Sequence, residues 1–582
     1  MALLEVWAPD SKKVEVQWGQ EVLSMIREEK GWWRLDAEGG EHGSDYAFFL
    51  DGEGPFPDPR SLWQPQGVHG PSRTYDHTRF KWNDMAWHPP PLSSSIIYEL
   101  HVGTFSPDGT FEGVVNRLDY LVDLGITHLE IMPVNGFSGI HGWGYDGVNL
   151  YAPHEPYGGP AGYKRLVNAC HERGLAVILD VVYNHFGPEG NYLGKFGPYT
   201  TGKYRQPWGE AVNVDGPRSD EVRRFICDNA IMWFRDYHVD ALRIDAIDTI
   251  IDISALNILE EMAIRKEEIQ AELGRYFFLI AESALNNPRI VKHRETGGYG
   301  LDAQWNDDYH HCVHTVLTGE KEGYYIDFGS LQKLAKALSE TFVFDGAYSM
   351  HRGRSHGKPA GDLPGSRFIV FLQNHDQVGN RAFGERLGRL VTPGLLKIGA
   401  ALVMLSPFIP LIFQGEEWNA STPFLYFTDH ADPELAKAVA EGRKEEFASF
   451  KWKKDDVPNP QAPESFQDSK LNWKEKDEKD HSSFLDWYRK LMKLRKSVHG
   501  LSSGRKEKVR ISFDENAKWL HFEREQFSVA CNFSKKSQII EIGEKRSGKV
   551  ILASDDRCEI RECGMFLPPE SVAVLGPPGN RI

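Results

Sequence analysis

Eight short apolar runs, separated by longer amphipathic segments, limit what this 582-residue chain can fold into more than any other feature. They are SIIYELHVGTF, THLEIMPV, LAVILDVVYNH, VDALRIDAID, YFFLIAES, LDAQWND, RFIVFLQNHD and PLIFQGEEW. Continuous Val, Ile and Leu runs are expected of parallel strands buried on both faces. Between them, GVVNRLDYLVDLG, GYKRLVNACHERG and SDEVRRFICDNAIMWFRDYH repeat apolar residues at helical spacing. Ser219 is expected to N-cap the last of these, ahead of Glu221. Eight such units predict a (β/α)8 TIM barrel with inserted loops over residues 95–500. A doubly wound open sheet is the competing fold, but no GxGxxG follows the first run.

The length exceeds what one core usually holds, so further domains are expected. Residues 1–90 alternate apolar and polar in LLEVWAPD and KKVEVQW, with Gly and Pro as punctuation, and predict an N-terminal β-sandwich. HPPPLSSS, His88 to Ser95, is a proline-rich linker. From 501 to 582, EKVRISF, KWLHFERE, FSVACNFS and SQIIEI predict a C-terminal β-domain packed on the barrel, after the closing helix SSFLDWYRKLMKLRKSVH. A net charge of −16 argues against nucleic acid and anionic membrane as partners. No apolar run reaches the ~18 residues that suggest a membrane span. The start MALLEVWAPD lacks a signal peptide's basic and apolar regions. Cys170, Cys227, Cys312, Cys531, Cys558 and Cys563 form no CxxC, which fits a reduced, cytoplasmic setting. The sixteen tryptophans suit stacking on sugar rings as well as core packing.

In such barrels the chemistry sits at the C-terminal strand ends. The third run ends Asp180-Val-Val-Tyr-Asn184-His185, the fourth Arg243-Ile-Asp245, the fifth Ala281-Glu282-Ser283 and the seventh Asn374-His375-Asp376. Strand residues two apart share a face, so Arg243 and Asp245 stand together. A fixed guanidinium holds a neighbouring carboxylate ionised, as a covalent glycosidase requires of its nucleophile. A structural ion pair closing a strand would look the same in isolation. Asp245, Glu282 and Asp376 converging over one mouth are hard to explain as packing. A retaining glycosidase pairs an ionised carboxylate with a protonated one about 5–5.5 Å away. Glu282, facing other carboxylates after an apolar strand, is expected to be the protonated partner.

DVVYNH, LRIDAID, IAES and FLQNHD resemble the four signature regions of the α-amylase superfamily of glycoside hydrolases, and the resemblance covers nearly the whole chain. It implies that Asp245 is the nucleophile, Glu282 the general acid/base and Asp376 a substrate-distorting carboxylate. It places Arg243, His185 and His375 around the cleaved glucose, with Tyr145 of HGWGYDGVNLYAPH as stacking platform, and gives Asp180 a supporting role. Finer stretches resemble the maltooligosyltrehalose trehalohydrolase family: YNHFGPEGNYL, QWNDDYHH, QNHDQVGNRAFGERL, FQGEEWNASTPFLYFTDH and DVPNPQAPESFQDSKLNW. That resemblance implies cleavage of the α-1,4 bond beside the terminal trehalose of maltooligosyltrehalose, downstream of maltooligosyltrehalose synthase. It puts Trp208 and Arg352 on the trehalose side. A glucan branching enzyme, or a barrel that only binds glucan, are the alternatives.

Departures from the pattern are Asp248, where histidine is common, Ala284 and Asn287, where aspartates are common, and His351, where an aromatic is. The missing histidine leads us to expect no calcium; no other metal and no cofactor are expected either. Trp305 and Asp307 are candidate sugar contacts. Asp307, Asp308, His310, His311 and His314 crowd one helix start. His310 and His314 have a metal-compatible spacing, but the preferred reading is a strand-to-helix turn whose acids cap the helix and line the mouth.

Overall fold

Each of the eight apolar runs forms a parallel strand of one closed barrel, paired in sequence order, the eighth closing on the first. The strands are Ile97–Leu100, His128–Ile131, Ala176–Val181, Ala241–Ile244, Phe278–Ala281, Ala303–Trp305, Phe368–Phe371 and Ile409–Phe413. They are referred to below as barrel strands one to eight. The computed structural model describes residues 4–35, 41–446, 457–542, 548–561 and 564–577. Cys563, Asp456 of the DVPNP stretch, and the chain ends 1–3 and 578–582 lie outside the described residues.

Ile97, Ile178, Ala241, Ile280, Ala303, Ile369 and Ile409 pack in one buried cluster inside the barrel. Side chains two positions on point to the same interior. Those positions are Glu99, Asp180, Arg243, Glu282, Trp305, Phe371 and Leu411. At the end where the loops gather, the apolar layer thus carries a second layer that is charged on strands one, three, four and five and apolar on strands six, seven and eight.

The helices depart from expectation in three places. GVVNRLDYLVDLG forms two helices, Phe111–Val115 and Leu118–Leu124, broken at Asn116 and Arg117. Ser219 does not cap the helix Ser219–Asp236: it is the first helical residue. The cap position belongs to Arg218, at a left-handed φ of 64°, and no side chain caps it. A turn fixed by Asn213 Oδ1, accepting the Gly216 N–H, brings the chain in from that direction. Between strands five and six, only the 3-10 turn Arg294–Thr296 is helical. That segment, ALNNPRIVKHRETGGYG, has no apolar period to make a helix.

Two antiparallel sheets precede the barrel. One joins Leu4–Trp7, Trp32–Leu35 and Ile26–Arg27; the other is built on Val14–Trp18 and Asp45–Leu50. Trp32 Nε1 donates to Glu221 and Arg60 to Asp228, which fastens them to the barrel helix. After the barrel, a five-stranded sheet from Val509–Asp514 to Lys549–Ala553 faces the smaller sheet Gln538–Ile540, Gly564–Leu567, Glu559–Arg561. Arg524, buried, donates to the carbonyls of Leu405, Ser406 and Leu501, tying this part to the barrel.

Beneath the barrel, at the N-terminal end of strand four, His171 sits between two carboxylates. Its Nδ1 is 2.8 Å from Asp84 and its Nε2 3.0 Å from Asp240, all three side chains 0–1% exposed. Trp87 Nε1 donates to Asp240 and stacks its ring on His171 at 4.6 Å. Arg275 and His238 complete the charge set. The stretch leading into the His88–Ser95 linker is therefore gripped from below. The five described cysteines are free and buried. Among the described residues no helix is long and apolar enough to cross a membrane.

Candidate active site

Arg243, fully buried, is the centre of the charged layer. Its Nη1 donates to both oxygens of Asp180, at 2.9 and 2.8 Å, and to Asp245 Oδ1 at 2.8 Å. Its Nη2 lies 3.0 Å from Glu282 Oε2. Strand register explains the grouping: Asp180 pairs with Arg243 across strands three and four, and the two acids follow at the strand ends. One fixed fork can serve three carboxylates because its donors are rigid and coplanar. Asn184 Nδ2 donates to the other oxygen of Asp245 at 3.1 Å, so the carboxylate is held from two sides.

Glu282 is in a different environment. Burial pushes its carboxyl well above the usual range; Arg243 opposes this, and Asp245 and Asp376 add to it. Its Oε2 also accepts the N–H of Ala246 at 2.7 Å. Ala246 has a left-handed backbone, φ 38° and ψ 50°, and that turn aims its N–H at Glu282. A non-glycine residue in this region costs about 1–3 kcal/mol, which persists only where the surroundings enforce it.

The opposite wall is a relay of rings. The Tyr145 hydroxyl is 2.6 Å from Asp180 Oδ2 and 2.7 Å from His375 Nε2, and the two rings stack. His375 Nε2 is also 3.4 Å from Asp376 Oδ2. His185 Nε2 contacts the Tyr145 carbonyl at 3.0 Å, and its ring stacks under Trp208 at 4.4 Å. Trp208 stands at the tip of the hairpin Thr200–Gln206/Gly209–Val212 and remains 51% exposed. The structure therefore brings Asp245, Glu282, Asp376, Tyr145, His185, Arg243, His375 and Trp208 to one mouth.

The remaining candidates are placed differently. Trp305 is 1% exposed and lies under the Arg243 guanidinium at 4.3 Å, against Phe371 and His375. It floors the site instead of lining open space. Asp307 lines a cavity of about 250 Å³ beside Asp376, together with Tyr324, His351, Arg352 and Gln377. Burial and then Asp376 push the Asp307 carboxyl up to about 7. Arg352 is exposed on the second hairpin, Asp345–Ser349/Arg354–Gly357, with Nη2 3.5 Å from the Ala284 carbonyl. Asp248 braces the strand-five loop, accepting from Ser283 Oγ at 2.6 Å and the Ala284 N–H at 2.8 Å.

The crowded helix is Asp307–Thr318, capped by Asn306, whose side chain accepts from the Tyr309 N–H. Asp308 accepts the N–H groups of Val343 and Phe344, so it anchors the approach to the second hairpin. His314 Nε2 meets Glu320 at 2.8 Å, His310 stacks on Phe371 and His311 packs on Tyr325. Among the described residues, no three His, Cys, Asp or Glu side chains come together as metal ligands. Sequence reasoning missed Glu99, Glu130 and the Ala246 N–H. The first two had a signal: a carboxylate inside each otherwise apolar run, IIYEL and THLEI. The third depends on a backbone angle.

The α-amylase catalytic-domain family model matches residues 73–208. The chain is 51% identical to a malto-oligosyltrehalose trehalohydrolase of Arthrobacter ramosus, over 85% of this chain and 87% of that one. It is 46% identical to another of that name from Rhizobium sp., over 98% and 97%. A crystal structure from Salmonella typhimurium, described as an alpha amylase, superposes with a TM-score of 0.91 at 38% identity, covering 99% of this chain and 97% of that one.

Proposed function

The chain belongs to the malto-oligosyltrehalose trehalohydrolases of the α-amylase family, and from that premise we propose how its barrel mouth works. It is a glycoside hydrolase that cleaves the α-1,4 bond next to the terminal trehalose and releases that disaccharide. Asp245 attacks the anomeric carbon of the glucose before the cleaved bond. Glu282 gives its proton to the departing trehalose oxygen. A covalent glycosyl-enzyme forms, and Glu282, now a base, draws a proton from the water that releases the shortened chain. The observation that carries this reading is the single buried guanidinium touching both Asp245 and Glu282. A shared fork favours the short carboxyl spacing of ~5–5.5 Å over the ~6.5–9.5 Å an inverting enzyme leaves for water.

Asp376, Tyr145, His185, Arg243 and His375 hold the cleaved glucose. Trp208 and Arg352 meet the trehalose, Asp307 lines the cavity that Arg352 shares with Asp376, and Trp305 supports Arg243 from below. The chemistry needs no metal or cofactor. The substrate requires a preceding enzyme that builds a terminal trehalose, the maltooligosyltrehalose synthase step. We assign residues 1–90, 95–500 and 501–582 as the three domains, and a cytoplasmic location, which the free cysteines fit.

Chromatography of products from maltooligosyltrehalose tests the reaction. Trehalose plus a chain shorter by those two glucoses is expected. New α-1,6 branches on amylose would identify a branching enzyme, and binding without turnover would identify a glucan-binding protein. Proton NMR of early product should show the α anomer first, because two displacements restore the configuration.

A further inference from the structure

Barrel strand one carries a carboxylate that no step above uses. Glu99 is 1% exposed on the barrel's interior face. Its Oε2 accepts the backbone N–H of His375 at 3.0 Å, and its Oε1 lies 2.5 Å from the ring Nδ1. It clasps both the main chain and the imidazole of that residue. The other ring nitrogen faces the Tyr145 hydroxyl, which also contacts Asp180.

The directions of these bonds follow from the far end of the chain. Asp180 takes Arg243 Nη1 on both oxygens, so it is an acceptor, and the single proton of Tyr145 points at it. The tyrosine oxygen must then accept from His375 Nε2–H. With Nε2 already donating, the contact between Nδ1 and Glu99 needs a second proton, carried by the ring or by the carboxyl. Geometry decides between them. One oxygen of Glu99 accepts the His375 backbone N–H and the other faces Nδ1, a two-donor setting that suits a carboxylate, so the second proton sits on the ring and His375 is the cation. Glu130, the register partner of Glu99 on strand two, is buried with neither side-chain oxygen hydrogen-bonded to the protein, and burial pushes its carboxyl well up.

We propose that Glu99 is a positioning residue for this reaction: its clasp on His375 keeps both ring nitrogens donating, which turns Tyr145 toward Asp180 and sets a cation beside Asp376. The proposal rests on the assignment of His375 and Asp376 to the cleaved glucose. The groups facing His375 are Glu99 from strand one, Glu130 from strand two, Tyr145 from the loop after it, Asp180 from strand three, Arg243 from strand four, Asp376 beside it and the neighbouring His101. Burial alone would lower the imidazole; the carboxylates of Asp376 and Glu99 outweigh it and push the ring up to about 10. Which ring nitrogen carries a proton is set by the bond made at the other, so losing the Glu99 charge should change the state of Nε2.

The test is the pH profile of kcat on maltooligosyltrehalose for Glu99→Gln and Glu99→Asp in the full chain. Glu99→Gln keeps the size and removes the charge. Its alkaline limb should fall by at least about one pH unit, with roughly tenfold loss of kcat on that limb and KM within about threefold of the parent. Glu99→Asp keeps the charge, so its limb should stay within about half a unit of the parent's at reduced kcat. A Gln limb that coincides with the parent's, or a uniform loss at every pH, overturns the proposal. Should Glu99→Gln not fold by circular dichroism, Glu99→Asp decides alone: a limb displaced by a full unit overturns it. Trehalose release by the parent tests the functional reading separately, so the two failures cannot be confused.

Discussion

Asp245 and Glu282 touch the same guanidinium, yet the proposed reaction asks one to attack and the other to give a proton. The structure separates them by what else each one meets. Asp245 takes two donors, Arg243 and Asn184. Glu282 takes burial and two facing carboxylates, which outweigh Arg243. Asp245→Ala should abolish turnover and the covalent intermediate with the fold intact; activity within tenfold of the parent would place the nucleophile elsewhere. Glu282→Gln removes the proton donor, so substrates with good leaving groups should lose less rate than the natural sugar. Equal losses would count against the acid. Because its carboxyl is raised, Glu282 keeps its proton at pH values where an ordinary glutamate has lost it. Selectivity is a separate matter, since trehalose and maltose differ only beyond the cleaved bond. Trp208 has one face on His185 and the other open, a rigid platform that we propose meets the product. Trp208→Ala should lower kcat/KM for maltooligosyltrehalose more than for plain maltooligosaccharides, by about 1–3 kcal/mol or roughly 5- to 150-fold. If both substrates fall equally with an unchanged circular dichroism spectrum, the selector lies at Asp307 and Arg352.

Elements were legible in the sequence to the extent that packing dictated them. The barrel strands are buried on both faces, so their apolar runs stand out, and strands three, four and five end on the charge that the interior face carries upward. The two mouth hairpins were not legible. Thr200–Gln206 reads TTGKYRQ and is half-solvated, with no alternation to betray a strand. The break at Asn116, the shifted start at Arg218 and the helix-free passage from strand five to six depend on local turns that periodicity does not record. The site followed the same division: residues at strand ends were found, while Glu99 and Glu130, inside strands, were missed although a carboxylate within a buried run marks each of them. Asn306 shows how an element holds the site. It caps the helix that opens with Asp307 and Asp308, and its Nδ2 donates to the Thr341 carbonyl at 3.0 Å. Asn306→Ala should cost about 0.5–2 kcal/mol, the usual range for a lost cap. Thermal melts check the cost. A stability unchanged within error would show that the cap contributes nothing.

At the scale of the whole molecule, the buried His171 network sets how stability should vary with pH. Burial lowers the His171 imidazole, but Asp240 and Asp84 outweigh it and leave it raised. Its contribution is therefore complete below about pH 6.5 and is lost as pH rises through the folded value. Asp240 runs the other way. Despite burial, His171 and Arg275 hold it down to about 2, so its contribution is complete above about pH 3.9 and is lost as pH falls toward 2. The melting temperature should decline on both sides of the window between them. His171→Gln should flatten the alkaline decline, and a slope identical to the parent's would show that other groups set it. The same network should make covalent continuity dispensable at His88–Ser95. Asp84 and Trp87 lie before that stretch, and the His171 and Asp240 that grip them lie after it. A protease site inserted there and cut should yield two pieces that travel as one particle through a sizing column, part only in denaturant, and still release trehalose.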